Sequence, residues 1–319
     1  MELLPPQQTH LTTPPPIDAK KLVESFFQNK SAGTLKAYKQ DLKRFMEFVG
    51  ATTPEEAAMR LLGHGQGHAN HITLQFKNHL KEKQLAPASI NRKLAALKSL
   101  CTLGRVVGVV SFNLEVMGYE VEPLRDTRGP GSENVHKMLA QAEQRTDKKG
   151  KRDYAMLRLM FDLAMRRGEV CSLDVEHIDL TQGLLSILGK GRLHRQWLSL
   201  PDETSDALKG WLEIRGREAG PLFIALDPRA YGRRLRGDGA ALVVGKMGEK
   251  IGARVRPHGL RHCAITEALN ATDGNLRLVQ KYSRHRCLDM LLVYDDARGD
   301  FGGQVAKIVA KSTRAKPHL

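Results

Sequence analysis

The sequence predicts a mainly α-helical chain with one small antiparallel β-sheet, divided into a helical first domain and an α+β second domain. Three observations carry this. Apolar residues recur at helical spacing through long stretches, as at Leu35, Tyr38, Leu42, Phe45, Met46 and Val49. Three short apolar runs, 177–180, 184–188 and 196–200, are separated by Gly183 and by Gly189 and Gly191, which is the pattern of a three-stranded antiparallel sheet. Between 113 and 132 the helical pattern fades while Pro123, Gly129, Pro130 and Gly131 accumulate, which places a linker there. A chain of 319 residues is long enough to give each side of that linker its own core.

Residues 1–17 carry Pro5-Pro6 and Pro14-Pro15-Pro16 among polar residues and predict an extended, poorly ordered tail. The first domain, 18–112, reads as a set of four helices with breaks at Gly50, at 63–67 and near Pro87. Lys36, Lys39, Lys43 and Arg44 give the first of them a basic flank. Thr53-Pro54-Glu55-Glu56 starts the second: Thr53 can cap, Pro54 fits the first turn and Glu56 completes a capping box. The third spans 72–83. The fourth begins near Ser89, with Ile90, Leu94, Leu97 and Cys101 on the buried face and Asn91, Arg92, Lys93 and Lys98 on others.

The second domain, 133–319, opens with helical patterning over 133–142 and 152–165, then switches to the three strands. Pro201 ends the sheet. A helix follows carrying Leu208, Leu212 and Ile214, then the apolar run 222–226 and a basic stretch, 229–236, suited to backbone phosphates or equally to a solvated loop. Pro257 opens a further helix. Near the end Phe301, Val305, Ile308 and Val309 form a stripe at i, i+4, i+7, i+8.

Charge bounds the function. A formal net charge of +15 with a pI near 9.8 implies a polyanionic partner, nucleic acid first among them. No apolar run approaches the roughly 20 residues that span a bilayer, and Met1-Glu2-Leu3-Leu4-Pro5-Pro6 lacks the form of a signal peptide. The expected location is the cytoplasm, with the nucleoid, and no membrane partner. Cys101, Cys171, Cys263 and Cys287 are too scattered for a zinc or redox motif, and His64, His68 and His71 read as a solvated loop, so neither metal nor cofactor is expected.

The chemistry concentrates in 257–294. Pro257-His258-Gly259-Leu260-Arg261-His262 puts His258 and Arg261 three apart on one helical face, where both could meet one phosphate. Arg284-His285 follows, and Tyr294 stands nine residues beyond His285. These types suit attack of a tyrosine hydroxyl on a phosphodiester. A phenol with a pKa of about 10 must lose its proton during attack, which imidazole can assist. A guanidinium cannot take that proton, but it forks onto two phosphate oxygens as their charge grows. His258 and Arg261 alone would be read as surface residues of a basic helix; the joint pattern is far more specific.

In this order and spacing, His258, Arg261, His285 and Tyr294 resemble box II of the tyrosine recombinases, the phage-integrase family of DNA strand-transfer enzymes. Met165-Arg166-Arg167-Gly168-Glu169-Val170 is similar to the family's box I, a helix end carrying a catalytic Arg with an acidic residue three later. The spacing assigns the catalytic position to Arg166 over Arg167, with Glu169 in support. Gly189-Lys190-Gly191-Arg192 looks like the family's strand-to-strand hairpin, which brings a lysine to the scissile phosphate and a further DNA contact at Arg192. The helices of 31–49 and 87–100 resemble parts of the N-terminal, SAM-like core-binding domain, which implies DNA-facing roles for Lys36, Lys39, Arg92 and Lys93.

The resemblance implies a site-specific recombinase that cuts and rejoins double-stranded DNA, with Tyr294 as nucleophile forming a 3′-phosphotyrosyl bond. Arg166 and Arg261 are then the phosphate clamp, Lys190 the acid for the 5′-hydroxyl, His258 the group that handles the tyrosine's proton and His285 a hydrogen-bonding partner of the phosphate. Rejoining would need neither ATP nor metal, because the covalent bond keeps the phosphodiester's energy. It also implies inverted-repeat sites, a tetramer on DNA, and a terminal helix that docks on a neighbouring protomer or, equally, packs on its own domain. No arm-site module is expected ahead of Ile17. The sequence departs from the family at Ser283-Arg284, where Leu-Gly is usual, at Met290 and Leu291, and at Ala164, a frequent Gly. Arg284 could add a phosphate contact or crowd the turn. Tyr282 is the rival nucleophile. A type IB topoisomerase, a silent DNA-binding homologue and an RNA-binding protein are the other classes that this charge and chemistry admit.

Overall fold

The computed structural model describes residues 18–121 except 29 and 31, residues 129–189, 192 and 194–296, and residues 301–314. The Pro-rich stretch 1–17, Pro123 and Lys190 lie outside the described residues. The chain divides into two compact units, Met1–Leu124 and Arg125–Leu319.

Among its described residues the first unit is a bundle of five helices: α1 (Ala19–Phe27), α2 (Ala32–Val49), α3 (Pro54–Leu62), α4 (Gly65–Glu82) and α5 (Pro87–Val106). The sequence predicts four. The extra one, α1, is a short helix whose Asp18 side chain accepts from the Lys21 N–H at 2.7 Å, and its Leu22, Val23 and Phe26 are buried. The turn expected around the glycines at 63–67 is confined to Gly63 and His64. Helix α4 begins at Gly65, so His68 and His71 stand on a helix and not in a loop. Thr53 caps α3 through the Glu56 N–H at 3.1 Å. The Glu56 carboxylate reaches one residue further back than a capping box requires, to the Thr52 N–H at 2.7 Å. Phe26, Phe45, Leu61, Phe76, Leu94 and Leu97 form the core. Residues 113–121 lie along this bundle: Leu114 is buried, Asn70 accepts from the Glu115 N–H at 2.9 Å, and Asn91 binds both backbone groups of Tyr119.

The second unit holds α6 (Ser132–Glu143), α7 (Lys148–Asp162), α8 (Arg167–Cys171), a sheet of β1 (Ile178–Asp179), β2 (Leu184–Ile187) and β3 (Gln196–Ser199), then α9 (Asp202–Arg215), α10 (Gly237–Lys250), α11 (Pro257–Ala271), α12 (Leu276–Ser283), α13 (Asp289–Asp296) and α14 (Phe301–Arg314). The sheet is antiparallel in the order β1-β2-β3, with Leu185 opposite Leu198, as the glycine-punctuated runs predict. Helix α7 is the central strut: Ala155, Met156, Leu159 and Met160 are fully buried against α6, α9 and α11. Trp211 of α9 fills the core and donates to the Leu222 carbonyl at 2.8 Å, which locks the apolar run after α9. That run pairs with the far end of the basic stretch through the Leu235 N–H to Phe223 carbonyl bond of 2.8 Å. Arg234 within the stretch is committed to Asp174 and the Leu173 carbonyl.

On α14, Val305, Ile308 and Val309 are exposed. Among the described residues no helix is long and apolar enough to cross a membrane.

Candidate active site

Four separate elements converge on one basic cleft. Arg166 lies in the turn between α7 and α8, at the start of α8, whereas the sequence suggests a helix end. Its backbone N–H donates to Glu169 Oε2 at 2.9 Å and its guanidinium to Oε1 at 2.8 Å, so one carboxylate fixes both the backbone and the side chain of this arginine. Arg167, the competing candidate, is exposed.

Pro257 starts α11, and the first turn presents His258 at the surface. Arg261 is only 1% exposed. It donates to the Ala164 and Ser283 carbonyls and lies 3.4 Å from His285 Nε2. Burial, with Arg166 and Arg284 beside it, pushes its pKa down to about 10, so it remains a cation near neutral pH. His285 follows α12; the Ser283 hydroxyl stands 2.8 Å from its Nδ1 and Gln280 donates to its carbonyl at 3.3 Å. An arginine can only donate, so in any hydrogen bond across this contact Nε2 of His285 is the acceptor.

Tyr294 comes from α13 of the same chain. It is 2% exposed, with its ring 4.9 Å from the His262 ring and 6.0 Å from that of His285. His262 stacks edge-on against His258 at 4.2 Å. The Tyr294 phenol is near enough to Arg261 to act on it electrostatically. Tyr282 is turned away: its hydroxyl donates to the Phe161 carbonyl at 3.0 Å, and burial pushes its pKa up.

The cleft has two lobes about Arg166. One, of about 580 Å³, is lined by Arg166, Arg256, His258 and Arg261. The other, of about 460 Å³, is lined by Arg166, Gly189, Arg192, Arg284, His285 and Arg286. Gly189 and Arg192 therefore bring the β2-β3 hairpin to the cleft, although Lys190 between them lies outside the described residues.

Glu169 is the only carboxylate bonded to these arginines among the described residues. Burial by itself would raise its carboxyl, yet the Arg166 N–H, the Arg284 guanidinium and the Arg166 side chain hold it below the usual range. Three guanidiniums around one carboxylate leave an excess of positive charge in a partly desolvated cleft. This favours an anion held by several donors at once, a role that suits a phosphodiester.

Two residues that the sequence reading undervalues stand at the centre. Ser283 orients His285, and nothing in the spacing marks it. Arg284, seen as either a phosphate contact or an obstruction, is buried and bonded to protein. Of the residues expected to face DNA in the first unit, Lys36, Lys39 and Arg92 are exposed. Lys93 is not: it is 6% exposed, with its ammonium 3.3 Å from the buried Asp41 carboxylate. The i, i+3 and i, i+4 positions of α5 that carry Ile90, Leu94 and Leu97 inward carry Lys93 inward as well.

A cleft so built suits a DNA strand transferase that uses a tyrosine. The chain belongs to the phage integrase family: residues 131–299 match the Phage integrase family and residues 24–103 the Phage integrase, N-terminal SAM-like domain. A tyrosine recombinase of Synechococcus elongatus is 42% identical over 290 residues, covering 89% of this chain and 90% of that one. A tyrosine recombinase of Synechocystis sp. is 37% identical over 300 residues, covering 91% and 95%. The fold matches the XerH site-specific recombinase bound to palindromic difH substrate with a TM-score of 0.64 at 17% identity, covering 92% of this chain and 85% of that one.

Proposed function

We propose that this protein is a site-specific DNA recombinase whose Tyr294 attacks the scissile phosphate, forming a 3′-phosphotyrosyl bond and releasing a 5′-hydroxyl. The observation that carries the reading is the meeting of Arg166, Arg261 and His285 at one cleft, with Tyr294 buried behind it and its ring 6.0 Å from that of His285, from elements far apart along the chain. The two arginines grip the non-bridging oxygens and gain most as charge develops there. His258 takes the phenol proton, directly or through a bound water, and His285 steadies the phosphate once it displaces the Arg261 contact. Lys190, on the hairpin flanked by Gly189 and Gly191, protonates the departing 5′-oxygen. Attack by a 5′-hydroxyl of another strand restores the phosphodiester and frees Tyr294, so no external energy source enters the cycle.

The helical unit, 18–112 by its sequence pattern, grips the duplex through exposed Lys36, Lys39 and Arg92, with Arg192 adding a contact beside the cleft, and 113–132 joins it to the catalytic domain. Four copies assemble on paired inverted-repeat sites. The exposed stripe of Val305, Ile308 and Val309 on α14 supports a helix that docks on the next protomer. The working location is the cytoplasm, on the nucleoid. The named relatives are recombinases, which leaves the topoisomerase reading without support.

The test is a nicked duplex carrying the inverted repeats that flank the coding sequence, incubated with wild-type protein and with Tyr294→Phe. Wild type is expected to trap as a covalent protein–DNA adduct, and the variant to bind without trapping. An adduct that persists in the variant refutes Tyr294 as the nucleophile.

A further inference from the structure

Two residues of the active site hold left-handed backbone conformations that L side chains seldom adopt. Ala164 has φ +44° and Arg284 has φ +60°. Glycine would take either without strain, so a side chain retained at both needs a compensating interaction. The two residues are in contact: Arg284 Nη2 donates to the Ala164 carbonyl at 3.1 Å. Arg284 Nη1 donates to the Leu163 and Tyr282 carbonyls, each at 2.9 Å, and Nη2 also reaches Glu169 Oε2 at 3.4 Å. One guanidinium therefore ties the turn that ends α12 to the turn that carries Arg166.

The acceptors it holds are those that position the clamp. The Ala164 carbonyl is shared with Arg261. Glu169 is shared with Arg166, whose backbone and side chain it fixes. Arg284 also immediately precedes His285. We propose that Arg284 is a positioning residue for strand cleavage, a guanidinium staple at the wall of the cleft, only 9% exposed, that sets Arg166, Arg261 and His285 at their working separation. The inference rests on the recombinase reading of the cleft and deepens it.

The charge balance around Glu169 supplies a diagnostic. Arg166 from the α7–α8 turn, Arg261 from α11 and Arg284 from the end of α12 all face this carboxylate, with the Tyr282 phenol beside Arg284. Arg284 is one of the groups that hold Glu169 below the usual carboxylate range. Without Arg284 the carboxyl titrates at higher pH, and once protonated it no longer accepts from both the N–H and the guanidinium of Arg166. The acid limb of the cleavage rate then moves upward in pH.

The experiment measures single-turnover adduct formation on the same nicked inverted-repeat duplex with wild type, Arg284→Gly and Arg284→Lys, across pH, alongside DNA affinity and thermal melting. Arg284→Gly removes the strained side chain and the staple together. It is expected to fold and bind DNA, to cleave on the order of 10- to 100-fold more slowly, to show a raised acid limb and to recover rate when methylguanidinium is added. Arg284→Lys keeps the charge but not the fork, so its rate should fall between the two. Should Arg284→Gly cleave at the wild-type rate, or lose rate only in proportion to its unfolded fraction with the acid limb unmoved, the staple is overturned. A wild-type protein that forms no adduct overturns instead the recombinase reading beneath it. If Arg284→Gly fails to fold, the Lys variant decides: a wild-type rate and acid limb refute the role.

Discussion

Asp41→Ala tests the claim that Lys93 serves the fold of the helical unit. Asp41 is 1% exposed and accepts from Arg92 Nη1 at 2.8 Å and from Lys93 Nζ at 3.3 Å. Arg92 is part exposed and can turn to water, so its loss of a partner costs little. Lys93 cannot, because its side chain is 8% exposed. Removing the carboxylate strands a buried ammonium, which costs about 3–5 kcal/mol. That is a large share of the roughly 5–15 kcal/mol that holds a domain folded. For a unit of this size each kcal/mol lowers the midpoint by about 4–8 °C, so the melting transition of the helical unit should fall by at least about 12 °C. The double variant Asp41→Ala/Lys93→Met removes both charges from an apolar site and should recover at least about half of the loss. Calorimetry of the four proteins closes the cycle. A stability for Asp41→Ala within about 0.5 kcal/mol of wild type, the usual range for surface changes, would refute the assignment. So would a Lys93→Met protein whose DNA affinity lost one phosphate's share of its salt dependence, a slope change of about 0.9.

Other outcomes follow from the second unit. Tyr282→Phe should form adduct at the wild-type rate and lose about 1 kcal/mol of stability, the worth of its bond to the Phe161 carbonyl; loss of the adduct would reinstate Tyr282 as the nucleophile. Glu169→Gln should destabilise the catalytic domain by about 3 kcal/mol at neutral pH, since two buried or half-buried guanidiniums lose their carboxylate. The folded-state pKa of Glu169 is depressed, so its contribution is present above the ordinary value of about 4.3 and is lost as pH falls through the folded value. Urea titrations should therefore show the gap between wild type and Glu169→Gln narrowing as the solution is acidified below about pH 4. A gap independent of pH would mean that the carboxylate's charge plays no part.

Local chemistry made much of this protein legible. The sheet could be read because Gly183, Gly189 and Gly191 mark its turns and strands alternate over few residues. The start of α3 could be read because Thr53 and Pro54 act within one helical turn. The opening of α4 has the sequence pattern of a loop because its three-glycine neighbourhood weakens helical propensity by about 1 kcal/mol per glycine, while packing of Ala69, Thr73 and Phe76 overrides it. Helix α1 leaves little mark in the sequence because it is short and its apolar residues make little more than one turn of pattern.

The residue types of the site, and their order along the chain, were fixed by the primary structure, because phosphodiester chemistry demands a nucleophile, cations and proton carriers whatever scaffold holds them. Tertiary packing alone decided which cations stay in water and which are withdrawn from it. Lys93 and Arg284 have the same charge as the exposed cations near them, but each lies beside a buried carboxylate, and a charge withdrawn from water must meet its counter-charge. Those carboxylates, Asp41 and Glu169, stand 52 and 115 residues away in sequence, a separation that no local pattern can span.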